Sequence, residues 1–298
     1  MHLAILALIS VVGGGMFACG DDDDDDDSDA DDDDDDDDSD ADDDDDGDDS
    51  DADDDADDDD VWQPSPGASW QLQFTGSVDV SLDVDMYNID LFDTDTDTIS
   101  SLHDDGRIVI CYFSAGSYED WREDADEFPD EALGNDLEDW DGERWLDIMN
   151  AEVRGVMMDR MDLAVEKGCD GLDPDNVDGY SNDNGLGLSS EDQLDYNLFI
   201  ASQAHERGLS VGLKNDVSQI HELVDSFDWA LNEECFVYEE CDTYSSFIEK
   251  GKAVFHIEYV DDWADAQDMA DEVCGDMTEL STIIKEWELT ANRLACDE

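Results

Sequence analysis

Apolar and polar positions divide the chain into three stretches. Residues 3–12 form one short apolar run, residues 20–60 hold almost no apolar side chains, and from residue 61 short apolar runs alternate with segments of helical period. Strands are expected at 86–92, 107–113 (RIVICYF, β-branched and aromatic), 145–149, 168–176, 209–213, 229–231, 253–259 and 280–284. Pro174 is expected to stop the fourth. Residues 151–167 read as a helix with Val153, Val156, Met157, Met161 and Ala164 on one face and Gly168 ending it. Ser189 and Asp192 form a capping box for a second helix, with a stripe of Leu194, Leu198, Ala201 and Ala204 and a stop at Gly208. Ile220, Leu223 and Val224 mark a third. Strands alternating with helices predict an α/β fold with a parallel sheet. Over residues 61–298 that pattern predicts a (β/α)8 TIM-type barrel, with a doubly wound open sheet as the alternative.

Residues 1–18 read as a secretion signal. The apolar run covers about half of the roughly 20 residues that span a bilayer. Met16-Phe17-Ala18-Cys19-Gly20 resembles a bacterial lipobox, in which the cysteine is lipidated after cleavage. The expectation is an exported outer-membrane or cell-surface lipoprotein, held at the membrane by Cys19 without spanning it. A secreted soluble protein is the alternative. The stretch before the apolar run has no Lys or Arg, and position 16 is Met where Leu is usual.

The chain carries 91 Asp and Glu against 12 Lys and Arg, a formal net charge of −79. Residues 21–60 contain 32 Asp and no base, but the remainder is strongly acidic too. That balance excludes a nucleic-acid binder held by phosphate contacts and favours cationic partners; solubility in salt-rich surroundings is the bland alternative. Residues 20–60 are expected to be a disordered linker, because each Asp repels the next and nothing can form a core. Fully stretched, the tract would reach about 130 Å. Its repeats lack the Gly and Glu of an EF-hand loop, which argues for a spacer over a calcium site.

Six cysteines remain after Cys19, an even number that permits three disulfides in an exported chain. Cys235/Cys241 and Cys274/Cys296 are the local pairs; Cys111 and Cys169 pair with each other or stay as thiols. No C-x-x-C or H-E-x-x-H occurs, so neither a dedicated zinc site nor any cofactor is expected. Residues 208–212 match G-x-S-x-G, but Ser210 opens a strand where a nucleophile elbow needs a strand-to-helix turn.

In a barrel of this kind, catalytic groups lie at the C-terminal strand ends. Those ends are crowded with polar groups: Asp90; Tyr112 and Ser114; Asp147; Asp173, Asp175, Asn176, Asp178 and Tyr180; Lys214, Asn215 and Asp216; Asn232 and Glu233; Glu258 and Tyr259. Two facing carboxylates are the apparatus for breaking a glycosidic bond, and Asp175 with Glu233 is the leading pair. Asp173 is two residues from Asp175 and points the same way on an extended chain, so like-charge crowding would raise one proton affinity. Trp70, Tyr112, Tyr180 and Tyr259 are candidate sugar-stacking rings.

At 168–180 (GCDGLDPDNVDGY) the sequence resembles the endo-α-1,4-polygalactosaminidase family, glycoside hydrolase family 114. The likeness continues through 108–114 (IVICYFS), 145–148 (WLDI), 192–197 (DQLDYN), 209–216 (LSVGLKND), 227–236 (FDWALNEECF) and 252–259 (KAVFHIEY). It implies a β/α barrel that cuts α-1,4-linked galactosamine exopolysaccharide, with Asp175 and Glu233 as its catalytic carboxylates. We expect Asp175 to act as nucleophile and Glu233 as general acid/base. Asp90, Tyr112, Asp173, Asn176, Tyr180, Lys214, Asn215, Asn232, Glu258 and Tyr259 would position sugar or tune the pair. The expected partner is a cationic or amino-sugar polysaccharide, and the expected state a monomer. Two departures stand out: position 173 is Asp where the family suggests Glu, and Met149 stands where Arg is usual. A non-catalytic polysaccharide-binding lipoprotein and a glycosidase of different sugar specificity are the alternatives.

Overall fold

Period-two runs become the parallel strands of one curled sheet in a computed structural model that describes residues 61–275 and 277–296. The signal at 1–18, Cys19 and the Asp-rich tract to residue 60 lie outside the described residues. In chain order the elements are β1 (Trp70–Gln73), β2 (Met86–Asp90), α1 (Thr96–Asp104), β3 (Ile108–Ser114), β4 (Ser117–Glu119), β5 (Leu133–Asp136), β6 (Glu143–Leu146), α2 (Ala151–Lys167), β7 (Gly171–Asp175), α3 (Ser190–His205), β8 (Ser210–Lys214), α4 (Ile220–Leu223), β9 (Trp229–Glu233), α5 (Ser245–Glu249), β10 (Val254–Val260), α6 (Ala266–Val273), β11 (Ser281–Glu286) and β12 (Leu294–Ala295). The large sheet runs β1-β2-β3-β7-β8-β9-β10-β11-β12, with every pair parallel up to β11.

Two expectations need correction. The run at 145–149 does not enter this sheet. It forms β6 of a separate antiparallel sheet, order β4-β6-β5, inserted between β3 and α2. Its place is taken by β1, which reads as polar because Gln71 and Gln73 alternate with Trp70 and Leu72. Both amides are buried and bonded to backbone carbonyls, Gln71 to Ala291 and Gln73 to Thr75 and Ser77. The first and last parallel strands also share no backbone ladder. The antiparallel β12 pairs with β11, and the seam to β1 is bridged by Trp70 Nε1 to the Ser281 carbonyl (2.9 Å), Lys285 Nζ to Gln71 Oε1 (3.4 Å) and the Phe74 amide to the Leu289 carbonyl (3.1 Å). No helix lies between β1 and β2.

Pro174 does not stop its strand. The ladder to β8 has ended by Leu172↔Val211, while pairing with β3 continues through Phe113↔Pro174 to Ser114↔Asp175. Helix α2 has the expected buried face, and Gly168 closes it at φ 89°. Helix α3 has its capping box, and Ala201, Ala204 and Leu194 of its expected stripe pack on the core, while Leu198 is 39% exposed. Gln193, Tyr196, Asn197 and Ile200 join the buried face. Polar bonds hold them there: Tyr196 donates to the Ala115 carbonyl (2.6 Å), and Asn197 to the Val177 carbonyl and Asp216 (both 2.9 Å).

The sheet has two apolar faces. Trp70, Leu72, Met86, Ile110, Trp229, Leu231, Phe255, Ile257 and Ile283 fill the inside of the curl. Tyr87, Ile89, Val109, Phe113, Leu172, Val211, Leu213, Ala230 and Val254 pack outward with the helices. Alternation fixes which is which. Along each inward row, character changes from apolar to polar towards the C-terminal end: Trp229, Leu231, Glu233; Phe255, Ile257, Tyr259; Ile110, Tyr112; Gly171, Asp173, Asp175. Gly212 opens its row because the Trp229 indole lies where a side chain would start, 2.3 Å from a Cβ built there.

Three disulfides are formed: Cys111–Cys169, Cys235–Cys241 and Cys274–Cys296. The first links β3 to the approach to β7 and closes a loop of 58 residues in sequence separation that contains the whole inserted sheet. Replacing Cys111 and Cys169 together by Ala should lower unfolding stability by about 2–4 kcal/mol in urea titrations; an unchanged midpoint would refute the bridge's structural role.

Candidate active site

The polar ends of the inward rows converge on one ammonium. Lys214, last residue of β8, places Nζ 3.4 Å from Asp175 Oδ1 at the end of β7, 3.4 Å from Glu233 Oε2 at the end of β9 and 4.0 Å from Asp173 Oδ2. Its side chain is 2% exposed. The nearest oxygens of Asp175 and Glu233 therefore lie within twice 3.4 Å of one another.

Each of those two carboxylates has its own donors. Asp175 accepts from the Tyr112 hydroxyl (3.1 Å) and the Asn176 amide (2.8 Å). Glu233 accepts from the Tyr259 hydroxyl (2.5 Å) and Asn215 Nδ2 (3.1 Å). Asn215 Oδ1 also receives the Glu233 backbone N–H at 3.0 Å, so one amide clasps Glu233 at both ends. Burial, then the neighbouring Asp175 or Glu233 charge, pushes both tyrosines well above the usual phenol range, which keeps them donors. Immediately after the three strand ends the backbone turns through positive φ, at Asn176 (59°), Asn215 (48°) and Glu234 (63°). Asn tolerates this region better than most residues, and such conformations concentrate at sites the surroundings over-determine.

The pair opens into a cleft of about 830 Å³. Asp90, Tyr112, Asp175, Asn176, Lys214, Asn215, Glu233 and Tyr259 line it. A smaller adjoining cavity of about 310 Å³ takes in Tyr180, Asp216, Asn215 and Glu233. Glu233 stands at the junction. The other expected residues are buried or already engaged. Asp173 is fully buried beneath the pair, where Asn88 Nδ2 donates to it at 2.7 Å. Asn232 and Glu258 face the outer side of the sheet, because they neighbour the inward Glu233 and Tyr259. Asn232 bonds to Tyr244, the Cys235 amide and Asn215 Oδ1 (3.3 Å), which ties it to the amide that clasps Glu233, and Glu258 bonds to His256 and the Phe236 amide. Trp70 is core, packed on Phe255 at the closed end of the curl. Asp90 lines the cleft but is held by Arg122 in a two-point pair at 3.0 and 2.8 Å.

Several lining residues escaped the strand-end rule: Trp121, Trp140, Glu143 and Trp145 on the inserted sheet and its turns, and Trp287 after β11. Trp287 stacks on Tyr259 with centroids 4.2 Å apart. The length of the segment between β3 and α2, once 145–149 is removed from the main sheet, is the signal that points to them.

Among the described residues, one group of metal-ligand types lies close together: Cys235, Cys241 and His256. Its sulfurs are joined in a disulfide and His256 is engaged by Thr282 and Glu258.

Acids around the cleft hold protons unusually tightly. Burial raises Asp173 to about 6 against the pull of Lys214, with Asp175 adding to the rise. Burial and Asp175 raise Asp178 to about 6. Burial outweighs the Ser117 hydroxyl and takes Glu143 to about 7. Burial and then Glu258 raise Glu234 to about 7, and burial and then Asp178 raise Asp216 to about 8. For Lys214 burial alone would favour the neutral amine, but the three carboxylates outweigh it and hold it charged.

The family model of glycoside-hydrolase family GH114 matches residues 52–298. Among solved structures, the chain is similar to Aspergillus fumigatus Ega3, determined in complex with galactosamine. Identity is 47%, covering 79% of this chain and 97% of that one, with a TM-score of 0.76. It shares its fold with the glycoside hydrolase domain of PelA from Pseudomonas aeruginosa at 12% identity, covering 76% of this chain and 98% of that one, TM-score 0.61. Among the curated proteins none matches.

The raised acids carry a pH signature. Asp216 keeps its proton to about pH 8 in the fold but releases it near pH 4 when unfolded. Between those limits the native state binds the extra proton, so stability falls as pH rises. Asp216→Asn should flatten the slope of unfolding free energy between about pH 5 and 8 by up to about 1.4 kcal/mol per pH unit. An unaltered slope would contradict the assignment.

Proposed function

The chain belongs to glycoside-hydrolase family GH114, and on that premise we propose that it hydrolyses α-1,4-linked galactosamine polymers at Asp175 and Glu233. The observation that carries this reading is the pair itself: two carboxylates from separate strands, each with a tyrosine and an amide donor, facing one cleft across a shared ammonium. We infer that the seam at Trp70 and Lys285 closes the curl into a TIM-type barrel, which fits a mouth at the C-terminal strand ends.

Asp175 is assigned as nucleophile and Glu233 as general acid/base. Glu233 borders both cavities and can protonate a leaving oxygen, then activate the water that takes its place. Asp175 bonds to the anomeric carbon as the glycosidic C–O bond breaks and Glu233 gives its proton to the leaving oxygen; water then attacks that carbon, passing a proton to Glu233 and releasing Asp175 as carboxylate. Retaining pairs stand about 5–5.5 Å apart, a separation that the two contacts to Lys214 allow. Charge bookkeeping at Lys214 fits as well. Asp175 loses its negative charge in the covalent ester as Glu233 acquires one, so the fixed ammonium faces the same total before and after the step.

Substrate choice follows from charge. Deacetylated galactosamine carries an ammonium group, and Lys214 and Arg122, the bases lining the cleft, are already paired with its acids. A cationic chain would be drawn in and held by charge-assisted hydrogen bonds, with salt screening the attraction beyond about 8–10 Å. The three disulfides suit an exported chain. We extend this to a lipid anchor at Cys19, a spacer over 20–60 and a catalytic domain over 61–298.

Asp175→Asn and Glu233→Gln should each cut turnover by about a hundredfold to ten-thousandfold in a reducing-end assay on deacetylated galactosaminogalactan, with circular dichroism unchanged. A Glu233→Gln enzyme releasing reducing ends at the parent rate would refute its role.

A further inference from the structure

The cleft has a wall for which the bond-breaking step has no use. It is the segment 115–150 between β3 and α2, where a barrel ordinarily carries a loop of a few residues. Long loops on that face of a barrel are where such folds build binding sites.

The base of this wall is rigid. Arg122, 6% exposed, pairs with Asp90 and with Glu119 (2.9 Å) and lies over the Phe92 ring. Arg160 reaches from α2 to Asp124 (2.7 and 2.9 Å) and the Ser114 carbonyl (2.6 Å). In a chain with 12 bases, two buried arginines are committed to holding this segment.

The tip is built differently. Trp121 and Trp140 are each 51% exposed, and both face the cleft. Trp121 lies beside the turn that follows Trp140. Gly142 sits at φ 97°, and a Cβ there would lie 3.1 Å from Trp121 Cζ3, so the glycine lets the indole rest against the turn that carries Trp140. Asp136, Glu138 and Glu143 line the same wall. Two exposed indoles on a firmly held support, with carboxylates lining the same cleft, are matched to a ligand with a flat apolar face and a positive charge.

Resting on the galactosamine reading above, we propose that Trp121 and Trp140 form a distal platform for a further amino-sugar unit of the same polymer chain. The sugar's C–H face lies on one indole, its ammonium sits over the ring faces, and the wall's acids balance the charge. Binding at a unit away from the reacting bond strengthens capture of long chains and adds nothing for chains too short to reach it. The platform thereby selects polymer over oligomer.

The test compares the full enzyme with its Trp121→Ala/Trp140→Ala double variant on deacetylated α-1,4-galactosamine polymer and on the trisaccharide. The expected result is a KM for polymer raised about tenfold or more with kcat within about twofold, and kcat/KM on the trisaccharide within about twofold. Trp140→Phe should retain most of the polymer affinity. An unchanged polymer KM, or an equal loss on both substrates, would overturn the platform. A second arm measures polymer binding by calorimetry in a Glu233→Gln background, with and without the two tryptophans. Should the parent enzyme cut neither substrate, the hydrolase reading fails. The platform then stands if the affinity in this arm drops about tenfold or more without the tryptophans, and falls if it does not.

Discussion

Lys214 is the interaction on which the site depends. An ammonium with a 2% exposed side chain is costly unless it is paired, and three carboxylates in close company are costly unless a cation sits among them. Each group therefore requires the others. Asp175 and Glu233 come from strands separated by β8 in the sheet, and the residue that ends β8 draws them together. The apolar floor of Trp229, Phe255 and Ile110 strengthens this arrangement by keeping water and its screening away from below.

Three more of the 12 bases are buried for a structural purpose. Arg122 and Arg160 fasten the inserted sheet to the strand ends, and Lys285 is buried at the seam, donating to the Thr290 carbonyl at 2.7 Å. Arg107, Arg154, Arg207 and Lys250 instead pair with exposed acids. The acidic excess is left to water and to the cleft. Burial there raises several carboxyls towards neutral pH, so the cleft's charge responds to pH in a range where surface acids no longer titrate. For a polymer bearing ammonium groups, that cleft attracts through its surroundings and orients through a few desolvated groups.

Much of this was legible in the sequence. The apolar runs at 86–92, 107–113, 209–213 and 253–259 marked strands, the Ser189–Asp192 capping box marked a helix start, and the strand-end rule placed Asp175, Lys214 and Glu233 at one mouth. The failures share a physical cause, which is that polar side chains can be satisfied inside a fold. Gln71 and Gln73 hid β1 from the apolar pattern, and Tyr196 and Asn197 joined the buried face of α3 beside its apolar stripe. Asn232 and Glu258 sit at strand ends like their neighbours, but alternation turns them to the outer face, and only the inward position of Glu233 and Tyr259 reveals it. Trp121 and Trp140 were hidden by mistaking β6 for a member of the main sheet, which erased the inserted wall. The disulfide between Cys111 and Cys169 could not be chosen over free thiols until β3 and β7 were known to be neighbours.

The central claim is that one buried ammonium makes Asp175 and Glu233 a single bond-breaking unit. The direct measurement is kcat/KM of Lys214→Met on deacetylated galactosamine polymer at fixed pH, with circular dichroism to show that the variant is folded. The account predicts a loss of about a hundredfold or more. A folded Lys214→Met enzyme that cuts at the parent rate would contradict it.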